Sequence, residues 1–376
     1  MERRVTQWLC ALLVFALVTG CDSSSVQPPP PPPPPPPPRL DTSMVIMSGD
    51  RQGTLVGHAL AEPLAVRVCE TGDVPVAGAR VAWTVTFGSG SLSADTTTSL
   101  SSGLSQVVFT AGADPGVSRV RATVVGTTAT VAFAVVAGRD NPFWPNEPAG
   151  FKVLSDESFD ALNEHGWLEE QRETIDSGLG VLLMADPLAP RSPPGVLAFA
   201  YPVGFVGGRE PGVAFFRPAA PVAETYFAFW WRPSDPWQSH MGNTNKIAFM
   251  FPLTGAQGDI FIMMYNTPVG HTIQVEPEFP IDTRRMEPNV AATPVTLGEW
   301  HLIEWYVKYA TTDTTRDGAT RWWLDGVLQG RYTDLQTPPG DPGFIEYQLA
   351  PTWGGLDDVK SEADTFWFDH AHLSRP

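Results

Sequence analysis

Residues 298–333, GEWHLIEWYVKYATTDTTRDGATRWWLDGVLQGRYT, decide the fold. From Trp300 onward, Trp300, Leu302, Glu304, Tyr306 and Lys308 fall on one face of an extended chain, and His301, Ile303, Trp305, Val307 and Tyr309 on the other. Such period-two placement predicts a β-strand. Large apolar groups on both faces place that strand inside a sandwich, covered on each side. A polar loop ending in Asp317-Gly318 leads to Arg321–Leu324. Asp325-Gly326 then turns the chain into Val327–Tyr332. Asp-Gly between apolar runs predicts a hairpin, because a type I′ turn needs positive φ at both central residues. Three consecutive antiparallel strands follow.

Working outward, the chain has 376 residues, 43% of them hydrophobic and only 17% charged, with 34 glycines and 38 prolines. That balance suits many strands and turns and excludes a helix bundle. The formal net charge is −17. An acidic chain gains no counterion release from nucleic acid or anionic lipid, so both are set aside as partners.

Residues 1–21 form a targeting segment. Arg3 and Arg4 precede the apolar run Leu9–Val18, which is too short to span a bilayer. The run ends Leu17-Val18-Thr19-Gly20-Cys21, which resembles the bacterial lipoprotein box. The resemblance implies a diacylglyceryl group on Cys21, the new N-terminus, and attachment to the cell envelope by that lipid alone. Asp22 resembles a signal that retains some lipoproteins in the inner membrane, so periplasmic and surface-exposed placements both stay open. Residues 22–39 follow as a stalk, with eleven prolines from Pro28 to Pro38. A polyproline II run of that length spans roughly 35 Å. Once Cys10 is cleaved away and Cys21 lipidated, Cys69 alone remains, so no intrachain disulfide and no cysteine-based zinc site is expected.

Residues 40–137 carry short Val-, Thr- and Ala-rich runs between glycine turns, which predicts an immunoglobulin-like β-sandwich with Trp83 in its core. The segments SGDRQGTLVG, PLAVRV, PVAGARVAWTV and ADPGVSRVRATV resemble bacterial Ig-like domains of the invasin and intimin type. Residues 138–149 are a linker, in which Phe143 and Trp144 are expected to cap the domain junction.

Eleven of the 13 tryptophans lie after residue 140, and residues 150–376 hold at least nine strand candidates. The last candidate, DTFWFDHAHL at 364–373, is expected to pair with the first, near 151–159; residues 161–172 read as a short helix. The 298–333 stretch resembles the central strands of the concanavalin A-like lectin/glucanase superfamily, with its laminin G-like and polysaccharide lyase-like members. The expected fold is therefore all-β: an N-terminal Ig-like sandwich followed by a larger concanavalin A-like β-jelly roll. Fold alone does not select an activity within that superfamily.

Aromatic faces stack on sugar rings. In the pairs Trp230-Trp231 and Trp322-Trp323, strand alternation sends one ring inward and the other outward. The loop 231–246, WRPSDPWQSHMGNTNK, offers rings, amides and cations together. Trp231, Arg232, Trp237, Gln238, His240, Asn245 and Lys246 are the candidate ligand-binding residues.

The Glu-x-Asp-x-x-Glu strand of the superfamily's glucanases is absent, and no Gly-x-Ser-x-Gly elbow occurs. Glu276-Pro277-Glu278 and Glu362-Ala363-Asp364 read as solvated loops. A lyase needs a proton-accepting His, Tyr or Lys. His240, Lys246 and Tyr306 are its candidates, with Arg232, His271, Arg284 and His301 as further cations; the superfamily's lyase motifs have only a faint echo in Tyr306–Tyr309. No cofactor is expected. Asp313-x-x-x-Asp317-Gly318 lacks the alternating carboxylates of a calcium loop, and His370-x-His372 lacks a third ligand. The leading expectation is an envelope-anchored, non-catalytic glycan-binding or adhesion module with a polysaccharide or glycan surface as partner. A polysaccharide lyase or glycosidase, and a protein-interaction scaffold, remain alternatives.

Overall fold

The computed structural model describes residues 42–171, 180–253, 258–355 and 358–376. The expected signal segment, Cys21 and the proline stalk lie outside these residues. No helix occurs among the described residues. The chain is all-β, an Ig-like sandwich followed by a larger jelly-roll sandwich.

In the first sandwich the strands are β1 (Ser43–Ser48), β2 (Gly53–Leu55), β3 (Leu64–Glu70), β4 (Val74–Pro75), β5 (Arg80–Phe87) and β6 (Gly90–Leu92). They continue as β7 (Thr96–Thr98), β8 (Leu104–Val107), β9 (Phe109–Ala111), β10 (Gly116–Val124) and β11 (Thr130–Gly138). One sheet joins β1, β3, β4 and β8, and the other runs β2-β11-β10-β5-β7. Between them lie Leu64, Val66, Val81, Trp83, Val120 and Phe133. Trp83 is a core residue, its ring 5.9 Å from that of Phe133 and its indole N–H donated to Thr97. Cys69 is buried and unpaired, and burial, then its contact with Asp73, pushes the thiol pKa up.

In the second sandwich the strands are β12 (Lys152–Glu157), β13 (Trp167–Gln171), β14 (Val181–Ala185), β15 (Gly195–Tyr201), β16 (Gly212–Phe216), β17 (Glu224–Pro233) and β18 (Thr244–Pro252). They continue as β19 (Ile260–Thr267), β20 (Gly270–Pro277), β21 (His301–Lys308), β22 (Gly318–Leu324), β23 (Val327–Leu335), β24 (Phe344–Leu349) and β25 (Asp364–Arg375). The eight-stranded sheet runs β14-β15-β25-β17-β21-β22-β23, with β12 also on β25; the six-stranded sheet runs β13-β16-β24-β18-β19-β20. The closing strand β25 does pair with β12, Lys152 opposite Arg375.

Strand alternation sorts β21 as its sequence implies. Ile303, Trp305 and Val307 enter the core between the sheets, while Leu302 joins Tyr226, Ala228 and Trp230 on the opposite face. That second face is covered by Val117 and Val136 of the first sandwich and Trp144 of the linker. Both faces of the strand are buried because a second sandwich docks on the outside of the eight-stranded sheet. The helix expected at 161–172 does not form over its described residues, 161–171. Residues 161–166 are turns and 167–171 are β13, where pairing with β16 buries Trp167 against Phe159 and Phe227.

Candidate functional site

The structure separates the residues that the sequence brought together. Trp231 is 0% exposed and packs edge-on to Phe366 in the core; Trp230 is buried at the junction of the sandwiches. Trp237 is 7% exposed. Its ring stacks on Phe366 at 4.0 Å and its N–H is donated to Asn245 Oδ1. It plugs the end of the core and is not a free platform for a sugar. Asn245 is fully buried and donates to the Met264 carbonyl. Gln238 is a strap: its backbone carbonyl accepts from Trp353 Nε1 and Lys360 Nζ, and its amide oxygen from the backbone N–H groups of Ser361 and Glu362. His240 lies edge-on to Trp353, with Gly354 pressed against its ring. Arg232 projects from the other sheet, pairs with Asp186 at 3.0 Å and lies over Trp300 and Trp367. A loop has no alternation to sort inward from outward side chains, so the sequence could not show that this one folds into the sandwich end.

The lyase trio is likewise dispersed. Tyr306 is on the outer face of the eight-stranded sheet, donating to Glu224 at 2.7 Å, whereas Lys246 is on the six-stranded sheet and His240 is buried. His301 and Arg284 are held by Asp325 and by Asp282 with Asp334, and His271 faces Ser239. His370 and His372 share Asp156 Oδ1 at 2.9 Å each, with Glu147 on the far side of His372. Among the described residues, no group of three or more His, Cys, Asp or Glu is arranged to hold a metal ion.

Lys246 alone of the candidates looks outward from a surface whose neighbours suit ligand contact. On β18, β19 and β20 the side chains opposite the core are Lys246, Phe249 and Phe251, then Phe261, Met263 and Tyr265, then Thr272, Gln274 and Glu276. Register sets them in rows. Phe215, Gln348, Phe249, Phe261 and Glu276 are successive cross-strand partners over five strands, and Lys246, Met263 and Gln274 form the adjacent row. Directly opposed residues have Cβ atoms about 5 Å apart, so each row is one contiguous surface. Phe215, Phe249, Phe261 and Met263 form an apolar floor. Above it stand the partly exposed Phe251, Tyr265, Gln348 and Glu276.

Charge converges at one end of this face. Lys246 Nζ lies 4.0 Å from the Phe261 ring centre and 3.3 Å from Glu278. Arg285 lies over Tyr265 and pairs with Glu287. Glu278 N donates to Asp259 O at 2.8 Å, one step beyond the Ile260–Pro277 pair. Asp259 therefore faces Glu278 across the two strands, with Glu276 diagonal to it. Burial and then the Glu278 charge push the Asp259 carboxyl up to about 6, against the pull of Lys246. Burial and Glu278 raise Glu276 also. Asp259 Oδ1 and Gln274 Oε1 are buried with no hydrogen-bond partner among the described residues. Glu276, expected in a solvated loop, is on strand β20; Asp364, expected likewise, is buried against Lys360. The signal for this face was in the sequence, as the alternation of Phe249, Phe251, Phe261, Met263 and Tyr265. Only sheet order put those residues side by side.

No family model matches the chain, and no curated protein sequence matches it. Among solved structures, similarity extends to the endo-β-1,4-glucuronan lyase of the fungus Trichoderma reesei, 15% identical with a TM-score of 0.40, covering 56% of this chain and 95% of that one. The alginate lyase vAL-1 from Chlorella virus is 11% identical with a TM-score of 0.46, covering 60% and 100%. The D00-D0 domain of intimin is 19% identical with a TM-score of 0.23, covering 26% and 49%.

Proposed function

We propose that this chain is an envelope lipoprotein, anchored through Cys21 on a proline stalk, that binds a glycan on the outer face of its six-stranded sheet. The observation that carries the reading is the row Phe215–Gln348–Phe249–Phe261–Glu276, flanked by Lys246, Gln274, Tyr265 and Arg285. An apolar floor beneath a few convergent polar groups is the usual construction of a ligand site. Pyranose C–H faces suit Phe251 and Tyr265, and hydroxyls suit the amides and paired charges. The cations are already matched by Glu278 and Glu287, which favours a neutral glycan over an acidic one. The stalk and first sandwich would carry this face away from the membrane.

Affinity electrophoresis of the mature chain through gels cast with a polysaccharide panel tests the reading. Retardation by at least one neutral polymer is expected, and Tyr265→Ala and Gln348→Ala should remove it. Free migration in every gel, or retardation that both variants retain, refutes it. Incorporation of labelled lipid by the wild type, and its loss in Cys21→Ser, tests the anchor.

One observation favours catalysis at the same face: Asp259, a proton donor near pH 6, opposes Glu278, a carboxylate held by Lys246. A carboxylic acid of raised pKa opposite a second carboxyl group is the pairing used in glycoside cleavage. A retarded polymer whose track is also cleared, with clearing lost in Asp259→Asn, would establish this second reading.

A further inference from the structure

A cavity of about 500 Å³ opens where the two sandwiches meet. Its walls are the turns at Ser89 and Asp114 of the first sandwich and Trp323 with the Asp325–Leu328 hairpin of the second; linker residues Arg139 and Asn146 also line it. The hairpin is the Asp-Gly turn of the opening stretch, with φ of 53° at Asp325 and 83° at Gly326. It touches the first sandwich backbone to backbone. Val117 N donates to Asp325 O at 3.1 Å, and a Cβ on Gly326 would come within 2.1 Å of Gly116 Cα. This glycine-on-glycine contact pins the sandwiches at one point, and the cavity is the space left beside it.

Its contents are chemically selective. Alternation along β22 sends Trp322 into the core, where its N–H is donated to Ile273 O, and turns Trp323 outward. The Trp323 side chain is half-buried and makes no ring contact, cation contact or hydrogen bond among the described residues. Asp114 and Arg139 are exposed and carry no ion pair among those residues. One unoccupied indole, one free carboxylate and one free guanidinium thus converge on a space of ligand-site size.

We propose that this cleft is a second saccharide site, separate from the sheet face, for a neutral mono- or disaccharide unit. A pyranose would lay its C–H face on Trp323, while Asp114 accepts from one hydroxyl and Arg139 donates to another. An acidic sugar is disfavoured, because the exposed Asp114 carboxylate lines the space. Ligand there touches both sandwiches and the linker, so binding and docking reinforce each other.

Saturation-transfer NMR on the mature chain, with millimolar cellobiose, maltose and diacetylchitobiose as probes and glucuronic acid as competitor, tests this. At least one disaccharide should receive saturation. In the Tyr265→Ala background, which removes binding at the sheet face, Trp323→Ala should abolish the transfer, and Arg139→Ala and Asp114→Ala should each reduce it several-fold. Arg139 and Asp114 are exposed, so their variants keep the test decisive even if Trp323→Ala does not fold. The proposal is overturned by absence of transfer to all three probes, by transfer that survives Arg139→Ala and Asp114→Ala, or by efficient displacement with glucuronic acid.

Discussion

Replacing Asp325 with asparagine tests how the two sandwiches are joined. The Asp325 side chain is 3% exposed and accepts from three sources: His301 Nδ1 at 2.9 Å, Leu302 N at 2.9 Å and Arg119 Nη2 at 3.3 Å. Arg119 belongs to the first sandwich and also donates to Trp300 O. Asparagine tolerates the left-handed φ and still accepts from Leu302 N, so the substitution removes the charge and little else. Burial alone would push His301 down, but the Asp325 charge and hydrogen bond outweigh it, and the net direction is up. A raised histidine contributes stability that is complete below its unfolded pKa near 6.5 and lost as pH rises through the folded value. Hydrogen bonds to charged groups contribute about 1.5–3 kcal/mol each. Asp325→Asn should therefore cost about 3 kcal/mol at about pH 6, where His301 and Arg119 both lose their counter-charge. At about pH 9, where only Arg119 is charged, the cost should fall to roughly half. The assay is urea unfolding followed by tryptophan emission at both pH values. Equal losses at the two pH values, or a loss below ~1 kcal/mol at the lower one, would refute the reasoning.

Gly326→Ala drives a methyl group against Gly116 Cα and strains a positive φ, so the sandwiches should separate. Small-angle scattering should show a larger radius of gyration and trypsin faster cleavage at Arg139; an unchanged profile would contradict the close approach. Lys360 is fully buried, paired with Asp364 and surrounded by Trp237, Trp353 and Tyr201 at 4.3–5.3 Å. Lys360→Met strands the Asp364 charge and should cost about 3–5 kcal/mol in thermal or urea unfolding; a loss under ~1 kcal/mol would mean the pair is dispensable. Asp259 has the opposite sign. Its folded pKa, up at about 6, lies above the unfolded value, so folding stability falls as pH rises between the two. Asp259→Asn should raise stability by about 2 kcal/mol near pH 8 and leave it unchanged near pH 3; destabilisation at pH 8 would count against the opposed pair.

Much of the architecture was legible because alternation is local. The runs read as strands at 321–324 and 327–332 lie within Gly318–Leu324 and Val327–Leu335, joined by the Asp325-Gly326 turn as expected. Short strands such as β13 and β16 were missed, since five residues carry too little pattern to stand out. The candidate site was legible only in part. Of the seven residues chosen from the loop 231–246 and its strand ends, Lys246 faces the outer surface of the six-stranded sheet. Trp231, Trp237, His240 and Asn245 fill the sandwich end. Amides and rings in a loop look alike from the sequence whether they serve a ligand or the core.

By itself, the sequence determined the all-β class, the Asp325-Gly326 hairpin and the two-sided burial of 301–308. It also determined which side chains of β21 share a face. Each of these depends on residues within a few positions of one another. Sheet order and docking were decided by the tertiary structure alone. Register across β16, β24, β18, β19 and β20 gathers Phe215, Gln348, Phe249, Phe261 and Glu276 into one row. Docking of the first sandwich covers the face that holds Leu302 and Trp230 and leaves Trp323 at a cleft. These partners lie tens to hundreds of residues apart, and only the chain closing on itself brings them within a side chain's reach.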